Sequence, residues 1–266
     1  MARPLIALLS DFGSRDHYAG TMKGVILGIC PDVTLVDISH DIPPHDVMTA
    51  ALELAAAYRY FPQGTIFLVV VDPGVGSARR GLAADTGDYR LVAPDNGVLT
   101  AVFQEAPPKK VVELTERRYA RPTVSKTFEG RDRFAPAAAW IAKGIQLTAL
   151  GRPVGDYARL DIPVPTSDAG GLIGQVLRID RFGNVVTNID RRTFEKFAGA
   201  GAAGAVQIEA GRETIGRLVA TYADIGAHEI CALFGSTEHL ELAANAESAA
   251  ARLALARGAA ITVRRT

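Results

Sequence analysis

Residues 65–80 read TIFLVVVDPGVGSARR, and the fold follows from how this stretch is read. Seven residues rich in Val, Ile and Phe make a buried strand of a mostly parallel sheet, and Asp72-Pro73-Gly74 stops it abruptly. A carboxylate is thereby placed at the carboxyl end of a central strand, the edge at which open α/β sheets bind ligands. The turn beyond holds Gly74 and Gly76, which let backbone approach a ligand closely, and then Arg79 and Arg80. Taken alone, an Asp-Pro-Gly turn is more often a cap beside solvated arginines. An acid and a base at one lip of the sheet nevertheless make Asp72 and Arg79 the first candidate site residues.

On the N-terminal side, Leu5 to Ser10 is a short apolar strand broken by Asp11-Phe12-Gly13, and Tyr18, Met22, Val25, Ile26 and Ile29 recur at helical spacing. Asp11 is a second strand-end carboxylate, suited to accept hydrogen bonds from a sugar diol. Val33 to Ile38 is the next strand. Asp46 suits a helix N-cap, and Val47, Ala51, Leu54, Tyr58 and Phe61 mark one face of the helix it opens. Strands alternating with helices predict βαβ units with right-handed crossovers.

On the C-terminal side, Gly81 to Asp85 and Tyr89 to Ala93 form a strand pair turned at Thr86-Gly87-Asp88. Asp95 and Asn96 are turn formers or ligand groups. Val111 to Leu114 is a further strand, and a helix is expected from Phe134 to about Ile145. The loop before it, Thr127-Phe128-Glu129-Gly130, can present polar groups to a ligand, so Glu129 is expected to line the same crevice as Asp72.

The prolines and glycines of Pro153 to Gly170 mark a domain boundary. The expected organisation is an N-terminal α/β domain over 1–158, a linker over 159–170 and a smaller β-rich, barrel-like domain over 171–266. The second domain carries short alternating segments at Leu172–Ile179, Val185–Ile189, Ala205–Glu209, Glu229–Leu233, Leu240–Leu242 and Ala260–Val263. In its turn Asp180-Arg181-Phe182-Gly183-Asn184, an aromatic flanked by Asp and Asn can hold a purine by stacking and amide hydrogen bonds.

Composition narrows the function. Of 266 residues, 48% are apolar and 22% charged, which is enough for a proper core. The 29 basic and 29 acidic residues balance, and the bases are scattered, so neither nucleic acid nor an anionic membrane is an expected partner. Cys30 and Cys231 stand far apart in apolar surroundings, as two buried thiols of a cytoplasmic protein would. No apolar run approaches a membrane span. The five histidines have no zinc-ligand spacing, so no metal is expected, and there is no Walker loop, GxGxxG or GxSxG elbow. A small polar ligand held at strand ends is the remaining reading.

The ordered blocks LLSDFGSRDHYAGTMKGV, HDIPPHD, VDPGVGSARR, APDNGVLT, TFEGRDRFAPAAA, DRFGNVVTNI and GSTEHLELAANAESAA span nearly the whole chain. Together they resemble the S-adenosylmethionine (SAM) hydroxide adenosyltransferases, relatives of the SAM-dependent fluorinase and chlorinase. The resemblance implies attack of water at C5′ of SAM, giving adenosine and methionine with no cofactor beyond the substrate. It also implies a homotrimer with the ligand at the subunit interface. By position Asp11 matches the ribose-diol acceptor. Asp180, Phe182 and Asn184 match the group holding the methionine and adenine ends, helped by Ser236, Asn245 and Ala246. Phe12 and Phe128, in the same blocks, complete the substrate-binding set. Asp72 and Arg79 match two of the three residues thought to hold the water; where the hydrolases have His as the third, this chain has Glu129.

Three other activities are to be weighed. A halide adenosyltransferase would have to place a desolvated anion beside Asp72 and Glu129, which repel it by several kcal/mol at close range, although Gly130 leaves room. A non-catalytic SAM or adenosine binder would keep the binding blocks with an altered catalytic trio. A methyltransferase would want the glycine-rich loop this chain lacks.

Overall fold

Ile66 to Val70, the centre of the stretch quoted first, is buried at every residue, as a strand covered on both faces must be. In the computed structural model, which describes residues 3–199 and 206–266, the chain falls into two units, Met1–Ile162 and Pro163–Thr266.

The first unit alternates strand and helix: β1 (Leu5–Ser10), α1 (Tyr18–Ile29), β2 (Thr34–Ser39), α2 (Val47–Ala57) and β3 (Ile66–Val70). It continues with β4 (Gly81–Asp85), β5 (Arg90–Pro94), α3 (Thr100–Glu105), β6 (Lys110–Leu114), α4 (Ala135–Ala142) and β7 (Gly151–Pro153). The sheet order is β2-β1-β3-β5-β4-β6-β7. Its first four strands are parallel, and β4, β6 and β7 join by antiparallel pairs, so the sheet is mixed. The tight turn between β4 and β5 forces antiparallel pairing there, whereas β1, β2 and β3 are linked through helices.

Each face of this sheet has its own core. Leu8, Leu68, Met22, Ile26 and Phe134 pack on the face covered by α1 and α4. Leu9, Phe67, Leu54, Leu91 and Val102 pack on the face covered by α2 and α3. Asp46 caps α2 as expected, its Oδ1 accepting from the Thr49 amide at 3.0 Å. The helix expected from Phe134 to Ile145 is entered through a π-helical turn, Gly130–Phe134, and ends at Ala142. Gly144, at φ +90°, supplies the left-handed residue that closes it.

The second unit is built of antiparallel pairs. Its elements are β8 (Thr166–Asp168), β9 (Gly171–Ile179), β10 (Val185–Asp190), α5 (Arg191–Ala198), β11 (Val206–Ala210) and β12 (Glu213–Ile215). They are followed by β13 (Ile230–Phe234), β14 (His239–Ala244), α6 (Ala249–Arg252) and β15 (Ala260–Arg265). The order is β12-β11-β15-β9-β10-β14-β13, with β8 on β9. Just past β12, Leu218 bridges Ala232 of β13, which brings the sheet nearly round on itself as a barrel. The strand expected to start at Ala205 is β11; Ala205 itself lies outside the described residues.

Residues 159–170, expected to be a linker, are shared between the units. Thr166–Asp168 pairs in register with β9, an exposed three-residue edge too short to show an alternating pattern.

Candidate active site

The π turn that opens α4 and the turn after β3 meet at the carboxyl end of the parallel strands. Asp72 follows β3 after one further buried residue, Val71. Arg79 folds back over it: Nε donates to Asp72 Oδ1 at 2.8 Å, and Nη2 donates to Asp72 Oδ2. The same Nη2 donates to Glu129 Oε2, so one guanidinium spans two carboxylates. Glu129 is held from its other side as well, Oε1 accepting from Arg133 Nη1 at 2.9 Å, and Arg133 Nη2 donates to the Leu114 carbonyl at 2.7 Å. The side chains of Asp72, Arg79 and Glu129 retain 6%, 9% and 13% exposure.

The structure therefore brings together the three residues named as catalytic and adds Arg133, which sequence reasoning missed. The signal was present as an i,i+4 Glu–Arg pair at the start of a helix. Two acids and two bases alternate along the chain of contacts, so the group is neutral overall. Such an arrangement is what allows these charges to sit largely out of solvent, Arg133 being the most exposed of the four at 22%. The Arg79 guanidinium also lies over the Phe134 ring, 5.0 Å from its centroid.

The turn glycines serve the protein itself. Gly76, at φ +78°, comes so near the Lys126 carbonyl that a Cβ would sit 2.5 Å from it. Gly130, where sequence reasoning saw room for a halide, is packed: a Cβ there would meet Met22 Sδ and Val70 Cγ1 at 3.2 Å and Phe12 Cζ at 3.6 Å. Asp95 and Asn96 are turn formers. Asp95 takes Arg80 Nε at 2.7 Å and the Ala158 amide at 2.7 Å, and Asn96 Nδ2 donates to the Val71 carbonyl at 2.9 Å.

Asp11 and Phe12 lie at the end of β1. Asp11 Oδ2 accepts from the His45 amide at 2.8 Å, while its Oδ1 takes no hydrogen bond from the described residues. Phe12 packs edge-on to Phe128, with centroids 5.8 Å apart, and both rings touch Tyr18. Three residues after Glu129, Asp132 is fully buried. Burial works against its ionisation, but bonds from the Arg131 guanidinium and the Ser125 amide outweigh that and hold its carboxyl below the usual range.

In the second unit Asp180 organises the turn between β9 and β10. Its Oδ1 accepts from the Phe182 and Asn184 amides at 2.9 and 2.8 Å, and Oδ2 accepts from Asn184 Nδ2 at 2.9 Å. Phe182, at the tip, is 78% exposed, an apolar ring held out by a rigid turn. The turn abuts the stretch after β14: the Ala250 amide donates to the Gly183 carbonyl at 2.9 Å. Asn245 begins that stretch, its Nδ2 bonded to the Ile225 carbonyl at 2.9 Å, and Ala246 follows in the left-handed region at φ +61°. Ser236 is apart from them. It lies in the turn between β13 and β14, at the opposite end of β14 from Asn245, and no hydrogen bond joins it to Asp180 or Asn184 among the described residues.

Sequence reasoning also passed over Glu241. It is buried on β14 with Oε2 accepting from the Tyr222 hydroxyl at 3.1 Å. Burial, helped by the nearby Asp180 charge, pushes its carboxyl up, and Tyr222 is pushed up to about 12, chiefly by burial.

These features define a two-part protein, a mixed α/β sheet with a buried acid–arginine cluster at its strand ends and an antiparallel barrel-like unit that displays an aromatic turn. Residues 6–151 match the model of the SAM hydroxide adenosyltransferase N-terminal domain and residues 174–262 that of the C-terminal domain, and the chain belongs to this family. It is 38% identical over 263 residues to an (R)-S-adenosyl-L-methionine hydrolase of Thermus thermophilus, a match spanning 95% of this chain and 96% of that one. It is 32% identical over 295 residues to a fluorinase of Nocardia brasiliensis, spanning 98% and 97% of the two chains. A crystal structure of an uncharacterized conserved protein from Thermotoga maritima superposes with a TM-score of 0.92 at 35% identity, covering 98% of this chain and all of that one.

Proposed function

We propose that this protein hydrolyses S-adenosylmethionine to adenosine and L-methionine by attack of water at C5′, with the (R) epimer named for its relatives as the substrate to test first. The observation that carries this reading is the buried convergence of Asp72 and Glu129 on Arg79 at the carboxyl end of β3.

A water oxygen forms a bond to C5′, the C5′–S pair leaves with sulfur as the neutral thioether of methionine, and the water proton passes to a carboxylate and then to solvent. The sulfonium is already an excellent leaving group, so the protein has only to hold the water in line and accept its proton. Because a hydroxide-like oxygen meets a cation, charge disappears in the transition state, and a dry pocket lowers the barrier.

Asp72 is the acceptor in this scheme, since it is held by one arginine where Glu129 is held by two. Glu129, clamped between two arginines, compensates charge and fixes Arg79. Asp11, with Oδ1 uncommitted, takes the ribose diol, and Phe12 and Phe128 give that end an apolar wall. Phe182 stacks on adenine. Asn184 keeps its amide oxygen and one N–H for the base, while Asp180 holds the turn that presents both. We retain Ser236, Asn245 and Ala246 as substrate contacts, and a cytoplasmic homotrimer with the site at subunit interfaces as the working assembly. No described helix is long and apolar enough to cross a membrane.

The halide alternative, raised by the fluorinase relatives, fits poorly with two carboxylates at the nucleophile's place and a filled space at Gly130. Incubation with SAM in ¹⁸O-water distinguishes the readings. Adenosine with one labelled oxygen at C5′ is expected. Chloride-dependent 5′-chloroadenosine, S-adenosylhomocysteine, or tightly bound unchanged SAM would replace hydrolysis with halide transfer, methyl transfer or simple binding.

A further inference from the structure

Four side chains outside the proposed machinery form an unbroken hydrogen-bonded chain. Ser10 Oγ is 2.6 Å from His40 Nδ1, His40 Nε2 is 3.0 Å from Asp37 Oδ1, and Asp37 Oδ2 accepts from Lys23 Nζ at 2.5 Å. They come from the last residue of β1, the loop after β2, β2 itself and α1. The order Ser-His-Asp is that of a nucleophilic triad. Ser10 is fully buried, however, with no exposed surface at which a substrate carbon can reach Oγ. A nucleophile is not what this group provides.

What the chain does touch is the backbone on either side of Asp11. The Phe12 amide donates to Ser10 Oγ at 3.4 Å, and the Gly13 amide donates to the His40 carbonyl at 2.7 Å. Proton positions follow from the far end inward. A carboxylate only accepts, so His40 must carry its proton on Nε2 to bond Asp37. In the neutral imidazole Nδ1 is then the acceptor, Ser10 donates to it, and the remaining lone pairs of the Ser10 oxygen are left for the Phe12 N–H. Asp37 stays ionised: burial opposes this, but the bonds from Lys23 and His40 outweigh it and hold its carboxyl below the usual range.

We infer that Ser10, His40 and Asp37 are positioning residues for the nucleoside end of the site, a relay of fixed polarity that holds the Asp11–Gly13 loop so that Asp11 and Phe12 meet the ribose and its base. The inference rests on the proposed role of Asp11, and Lys23 sets its polarity from α1, the helix that also carries Tyr18.

The test uses steady-state kinetics with SAM, histidine ¹⁵N spectra and amide hydrogen exchange on the full chain. Ser10→Ala and His40→Leu are expected to raise KM for SAM about tenfold, the effect of losing one buried hydrogen bond, and to leave kcat within about twofold. His40→Asn, whose amide oxygen can replace Nδ1 as acceptor, should recover most of that loss, whereas His40→Gln should not. In the unsubstituted protein the ¹⁵N shifts should report Nδ1 as the bare nitrogen; Asp37→Asn, which can donate to Nε2, should invert the tautomer and raise KM. A fall in kcat with KM unchanged, equal behaviour of His40→Asn and His40→Leu, or Nδ1 carrying the proton in the unsubstituted protein would each overturn the inference. Should the unsubstituted protein release no adenosine, the functional reading fails separately. Exchange then decides the relay: faster Phe12 and Gly13 amides in Ser10→Ala support it, and unchanged rates refute it.

Discussion

Asp72 in the first unit and Asp180 in the second are both acids that follow a strand directly or nearly so, yet the protein spends them differently. Asp72 is bonded by a guanidinium through side-chain atoms, in a buried group of alternating charge. Asp180 is bonded almost entirely by the backbone and side chain of its own turn, and what it produces is an exposed ring at Phe182. The first arrangement fixes charges in a dry place and suits bond making. The second fixes shape at a wet surface and suits recognition. The contrast predicts that substitutions in the first unit's cluster change the chemical step, while those at the second unit's turn change affinity.

The largest effect that would sharpen this contrast, after that of Asp72 itself, is expected at Phe182. Phe182→Ala should raise KM for SAM by about tenfold to a hundredfold, the usual worth of an aromatic ring stacked on a base, with kcat little altered. Its melting temperature should match that of the unsubstituted protein, because an exposed ring contributes little to the core. A drop in kcat at constant KM would break the division of labour.

A smaller effect is expected at Arg133. Arg133→Gln leaves Glu129 with Arg79 as its only partner among the described residues and should lower kcat about tenfold, less than the loss of a donor that touches the reacting atoms, with KM held. Arg133→Lys should restore most of the rate. Rate loss without lysine rescue would show that the Leu114 carbonyl contact, rather than the charge on Glu129, is what Arg133 supplies.

The smallest effect is one of stability, at Glu241. Its carboxyl is pushed up in the folded state, chiefly by burial, so the favourable term is complete below the ordinary glutamate range and is lost as pH rises through the raised value. Above that raised value the ionised, buried acid costs stability. Glu241→Gln should therefore melt about 2 °C higher than the unsubstituted protein at pH 8 and no higher at pH 4, as scanning calorimetry would show. A gain of equal size at both pH values would assign the effect to packing against Gly235 instead.

Much of this was legible in the residue order because local chemistry and final position agree where the sheet is central. The apolar run ending in Asp72 could only be a covered strand, and the Thr86-Gly87-Asp88 turn could only join neighbouring strands, so β3, β4 and β5 emerge where expected. The short edges did not show. β8 and β12 are three residues each, too brief for a period-two pattern. Of the site, Asp72, Arg79 and Glu129 were visible as strand-end and pre-helix polar residues. That Glu129 is held between two arginines was not, because it depends on a π turn that re-aims the residues before α4. The chain from Ser10 to Lys23 escaped for a related reason: its members are ordinary residues 3 to 30 positions apart, joined only by the parallel pairing of β1 with β2 and the crossover helix between them.

The claim on which the rest depends is that Asp72, held by Arg79, receives the proton of the attacking water. Asp72→Asn keeps the shape of the side chain and removes its basicity, so single-turnover rates and SAM affinity measured on that variant test the claim directly. A fall of about a thousandfold in the rate of adenosine formation is expected, in keeping with the loss of a general base, with the dissociation constant for SAM held within about threefold. Turnover at the unsubstituted rate, or a loss of SAM binding large enough to account for the missing activity, would contradict it.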